Sequence, residues 1–82
     1  VSERARAARR LASLLTGDSG VHVAVQYDRT TRRYVVVWED GPPLATMYAM
    51  ALEHEYSVPL LDVDAMDWRR TDRLRPHQPG RS

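Results

Sequence analysis

The densest candidate chemistry in the chain is a set of carboxylates, Asp62, Asp64 and Asp67. Hard cations such as Mg²⁺ or Ca²⁺ take oxygen ligands, and an Asp-x-Asp pair supplies two of them. A calcium loop needs more ligands and a central glycine, which this spacing lacks. Acidic turn residues that cap backbone amides are the plainer reading. The histidines His22, His54 and His77 are scattered, with no paired-histidine metal spacing and no serine or cysteine motif beside them. The four glycines form no phosphate-cradling loop. The chain is therefore expected to be non-enzymatic and to need no cofactor. Metal-dependent activity through Asp62, Asp64 and Asp67 is the third-ranked function.

Positive charge is the other candidate resource. All 12 basic residues are Arg, and 11 of them fall in three groups. Arg4, Arg6, Arg9 and Arg10 open the chain; Arg29, Arg32 and Arg33 follow; Arg69, Arg70, Arg73 and Arg75 lie near the end. A guanidinium suits phosphate or carboxylate, and Tyr34, Trp38 and Trp68 would stack on bases if exposed. The expected binding residues are Arg6, Arg9 and Arg10, with Arg32, Arg33, Arg69 and Arg70 behind them. No helix-turn-helix pattern or zinc finger is present.

Composition limits how strongly the arginines speak. Lys, Asn, Ile and Phe, the residues with AT-rich codons, are all absent. That points to a high-GC bacterium, such as an actinobacterium, and explains Arg in place of Lys by coding bias. The net charge of +1 hides a segregation. Residues 1–16 hold four Arg and one Glu; residues 42–68 hold five acids and no Arg; residues 69–82 hold five Arg and one Asp. Basic ends can neutralise an acidic middle, within one chain or across two. They can also form a nucleic-acid surface.

At 82 residues without cysteine, the chain holds one small core and no disulfide framework. A core of this size rarely supplies more than about 3–5 kcal/mol, so self-association would help it. No stretch has the roughly 20 apolar residues of a membrane span, and no signal peptide is expected at the Arg-rich start. A cytoplasmic protein follows as the expectation.

The elements that must position these residues are readable from periodicity. Ser2 to Thr16 reads as a helix with Ala5, Ala8, Leu11, Ala12 and Leu15 on one face, Ser2 as cap and Gly17 as stop. Arg6, Arg9, Arg10 and Ser13 fall opposite. Val21 to Tyr27 alternates as a strand, Asp28 to Arg32 turns, and Arg33 to Glu39 is a second strand. That strand is apolar on both faces, which asks for a second cover. Val35, Val37 and Trp38 are therefore the expected interface, and a second copy of the chain the expected cover. Asp40-Gly41-Pro42-Pro43 breaks the strand and opens a helix that runs from Leu44 to Tyr56. A third strand is expected somewhere in 61–71, with Trp68 packed on the sheet; Asp62 to Met66 as a tight turn before a strand at Asp67 to Thr71 is one way to place it. The predicted fold is α+β, a two-layer sandwich in the order helix-strand-strand-helix-strand, with an antiparallel three-stranded sheet. Residues 1–72 form the single domain and 73–82 a flexible basic tail.

The run Tyr34-Val35-Val36-Val37-Trp38-Glu39-Asp40-Gly41-Pro42, a helix, and then Leu61-Asp62-Val63-Asp64-Ala65-Met66-Asp67-Trp68 resembles a small domain of the large polyvalent protein-associated group. The likeness covers about 35 residues and is sharpest at W-x-D-G-P, a strand-to-helix element. Tyr56 corresponds to the aromatic that the group carries near the helix end. The resemblance implies a mobile-element setting, a plasmid or phage, among DNA-handling and modification proteins. It implies no catalytic residues.

The expected function is therefore a non-enzymatic accessory binding module, homodimeric, that docks nucleic acid or a protein partner in a plasmid- or phage-linked bacterial system. The alternative is a homodimeric protein–protein interaction module without nucleic-acid contact, using the open sheet face and the acidic helix.

Overall fold

A computed structural model describes residues 2–73. The first helix, α1 (Glu3–Ser19), starts where Ser2 accepts the amide of Ala5 at 3.0 Å. It buries Ala8, Leu11 and Leu15, the periodic positions, and exposes the arginines between them. It does not stop at Gly17. The helix runs on to Ser19 and closes at Gly20, whose φ of 78° is left-handed and whose amide bonds the Thr16 carbonyl at 3.1 Å. A glycine inside a helix costs only about 1 kcal/mol, whereas a left-handed cap strongly favours one, so the second glycine is the stop.

The extra turn leads the chain into strand β1 (Val23–Asp28), whose start is held by one side chain. The Thr16 hydroxyl accepts the Val23 amide at 3.0 Å and donates to the Ala12 carbonyl at 2.7 Å. Val23 is buried, so this amide has no water to turn to. Thr16→Val is expected to lower stability by about 1–2 kcal/mol, read as an earlier urea midpoint with unchanged slope. An unchanged midpoint would show that the hydroxyl is dispensable.

β1 pairs with β2 (Arg33–Glu39) as an antiparallel hairpin, in register from Val23 opposite Trp38 to Asp28 opposite Arg33. Helix α2 (Leu44–Glu53) follows, shorter than the apolar pattern suggests. Its last turn loosens into a short 3₁₀ segment, Glu55–Ser57. A second 3₁₀ turn, Val63–Ala65, precedes β3 (Asp67–Thr71). The third strand thus follows a turn, as the placement at Asp67 to Thr71 expects.

The domain is α+β in the order α-β-β-α-β, with strand order β1-β2-β3. The sheet is mixed, which corrects the antiparallel expectation. β3 runs parallel to β2, with Val36 beside Trp68. The connection between them holds α2, and a helix carries the chain back to the end of the sheet where β2 began. The next strand must then run the same way. Only the β1–β2 link is short enough to force an antiparallel pair.

One face of the sheet carries Val23, Val36 and Trp38. These join Ala8, Leu11 and Leu15 of α1, Met47 and Ala51 of α2, and Val58, Leu61, Val63 and Met66 of the connection in one core. Trp38 is 2% exposed, and its indole N–H donates to the Pro42 carbonyl at 2.9 Å. That bond ties the end of β2 to the start of α2. Trp38, Trp68 and Tyr48 form a chain of edge-to-face contacts, with centroids 6.4 and 5.5 Å apart.

Candidate nucleic-acid interface

The expected interface residues are divided between the two sheet faces, which corrects their grouping. Trp38 faces the core and is buried there. Val35 and Val37 face the other way. Val35 is itself only 4% exposed. Asp67 stands opposite it in the register, and Arg33, two residues earlier on the same face, bonds Asp67 at 3.1 Å. This pair links β2 and β3 on the face that carries Val35. Val37 is half-buried.

The arginines separate by what they meet. Arg33 pairs with Asp67. Arg70 pairs with Asp72 at 2.6 Å and donates to the Gly41 carbonyl at 3.2 Å. Arg73 reaches Glu39 at 3.5 Å, and its amide donates to Asp40 at 3.2 Å. Self-neutralisation therefore accounts for much of the C-terminal cluster. Arg69 is exposed on β3, on the face that carries Val37. On α1, Arg4, Arg6, Arg9 and Arg10 are exposed, and among the described residues none has a carboxylate within salt-bridge distance. The same holds for Arg32. Residues 74–82, with Arg75 and His77, lie outside the described residues.

Topology brings two of these free arginines together. α1 packs along β1, and it begins beside the hairpin end of the sheet. There Arg4 of α1 and Arg32 and Arg33 of the hairpin line a cavity of 330 Å³. Its apolar side is Tyr34, Leu60 and Met66, and Asp62 lines it too. An adjoining groove shares Arg4, Tyr34 and Leu60 and adds Tyr27 with Glu3. Tyr27 and Tyr34 are directly opposed in the register, their rings 5.2 Å apart and inclined at 64°. Both lie on the core face, beside the first turn of α1, whose Glu3, Arg4 and Ala5 share the groove with them; Tyr34 is partly buried against the core. Tyr27 is 50% exposed and Leu60 49% exposed.

Arg32 sits at φ 58°. A left-handed conformation disfavours any residue with a Cβ, and glycine would take this turn position without strain. The other left-handed non-glycine residue, Asp40, is a type that tolerates the conformation, and its carboxylate accepts the Arg73 amide. Arg32 has no such local compensation.

Of the residues singled out in the sequence, Arg32 and Arg33 reach this cavity, Arg6, Arg9 and Arg10 continue along α1, and Arg69 and Arg70 lie apart on β3. Arg4 and Tyr27 were not singled out. Tyr27 was findable: counting back from the turn sets it opposite Tyr34 and on the apolar face. Arg4 was not, because its place depends on how α1 lies along the sheet.

The three aspartates do not gather. Asp62 caps the Asp64 amide at 3.1 Å, Asp64 accepts the Tyr48 hydroxyl, and Asp67 holds Arg33. Among the described residues no group of three acidic, histidine or cysteine side chains is placed to hold a metal. The bond to Asp64 and its charge keep the Tyr48 phenol above its ordinary range. His54 bonds Asp18 at 2.6 Å, linking the end of α2 to the last turn of α1. No helix among the described residues is long and apolar enough to cross a membrane.

Comparison with family models, with curated proteins and with solved structures returns no match.

Proposed function

We propose that the chain is a non-enzymatic accessory module that binds nucleic acid on the surface formed by α1 and the hairpin end of the sheet. The observation that carries this reading is that Arg4 and Arg32, from distant parts of the chain, line one cavity with the half-buried Tyr34, beside the exposed Tyr27, and form no salt bridge among the described residues. Arg6, Arg9 and Arg10 add exposed positive charge on the outer face of α1, while the C-terminal arginines Arg70 and Arg73 are occupied at home. Charge without internal partners, next to aromatic rings, matches a phosphate backbone with its bases. The strand-to-helix element at Trp38–Pro42, fixed by the indole bond, fits the resemblance to the large polyvalent protein-associated group and so a plasmid- or phage-linked cytoplasmic setting. We take the domain as two-layered, with both helices on the Trp38 face of the sheet; residues from both helices in the shared core support this.

The test is fluorescence anisotropy of a labelled oligonucleotide against salt. If Arg4, Arg6, Arg9, Arg10 and Arg32 each meet a phosphate, the affinity falls with a log–log slope of about −3.5 on a single strand. Absence of binding at low salt, with a salt-resistant dimer in light scattering, would replace this reading by a homodimeric protein-interaction module.

A further inference from the structure

We infer that the cavity at the hairpin end takes one unstacked nucleotide, so the module binds single-stranded nucleic acid in preference to duplex. This rests on the nucleic-acid reading above and specifies its substrate. The exposed arginines of α1 would serve either form, because phosphates line both. The hairpin end would not. Its two rings lie beside the first turn of α1; Arg4 and Tyr34 line both hollows there, Arg32 the cavity and Tyr27 the adjoining groove. In a duplex the base faces are hidden in the stack, and only an unstacked base can lay a face against a tyrosine.

The geometry suits that occupant in three respects. In the inclined Tyr27–Tyr34 pair, the ring that offers its edge keeps both its faces free of the other. Leu60 and Met66 give the cavity an apolar wall for a base, while the two unpaired guanidiniums stand where the attached phosphate must lie. The cavity, at 330 Å³, and the adjoining Tyr27 groove, at 640 Å³, fall in the range of ligand sites, about 300–1,000 Å³, which is room for a nucleotide. Charge complementarity selects this occupant over an apolar peptide, which would leave Arg4 and Arg32 desolvated without partners.

The experiment compares a labelled single strand with a duplex of equal length, on the wild-type chain and on Tyr27→Leu. Tyr56→Leu, at a tyrosine 91% exposed and away from the cavity, serves as the control. The wild type is expected to prefer the single strand. Tyr27→Leu is expected to lose about 5- to 150-fold of single-strand affinity, the span of one base–aromatic stack, with duplex affinity and salt slope unchanged. Equal affinity for both forms, or equal losses on both in Tyr27→Leu, would overturn the inference and leave the phosphate-binding reading standing. Binding to neither form would overturn both. The wild-type comparison decides the matter if Tyr27→Leu does not fold.

Discussion

Trp38→Ala is expected to leave the chain unfolded at 25 °C. The indole sits in the central strand, 2% exposed, between β1 and β3 in register and against the Trp68 ring. Truncating a buried tryptophan costs about 3–5 kcal/mol, from lost transfer energy and the cavity left behind. The whole stability of a domain this small is of the same order, about 3–5 kcal/mol. The loss therefore matches the total, and far-ultraviolet circular dichroism should show a chain without its helices. Trp38→Phe separates the two roles of the ring. It keeps most of the packing and removes the donor to Pro42, so it should stay folded and lose about 1–3 kcal/mol, as an earlier urea midpoint. A folded Trp38→Ala with a midpoint close to wild type would show that the core closes without this side chain.

The double variant Arg4→Ala with Arg32→Gly is expected to lose about 25-fold in single-strand affinity at 0.1 M salt. Each phosphate contact on a single strand contributes about 0.7 to the log–log slope, or roughly 5-fold per tenfold dilution of salt from 1 M. Two lost contacts multiply, and the slope should shrink by about 1.4. The same variant should keep or gain stability. Alanine is the best helix former at an exposed helical position such as Arg4. Glycine at Arg32 relieves a left-handed strain of about 1–2 kcal/mol, offset in part by a looser unfolded chain. Loss of binding with undiminished thermal stability is the signature of a surface retained for function, since a merely structural arginine would fall on both measures. Unchanged affinity and slope would remove the hairpin end from the interface.

Much of the local structure was legible in the chain. Ser2 caps α1, Val23 and Val25 alternate in β1, the limits of β2 fall at Arg33 and Glu39, and Pro43 precedes α2, all as spacing and residue type require. These features depend on neighbours a few residues away. The end of α1 was misread because two glycines compete for it, and the choice of Gly20 goes with the bond from Thr16 to Val23, seven residues on. The end of α2 was overextended because Tyr56 continues an apolar pattern yet remains exposed.

The sequence by itself determined the order of elements, the hairpin pairing and the presence of a positive first helix. Each follows from periodicity, turn chemistry or composition, which act along the chain. Three matters were decided only by the tertiary structure. The direction of β3 depends on where α2 delivers the chain. The tie between β2 and β3 depends on Arg33 meeting Asp67 across two strands. The candidate site depends on α1 starting beside the hairpin end, so that Arg4 and Arg32 line one cavity. All three are contacts between residues far apart in sequence, and no local preference encodes them.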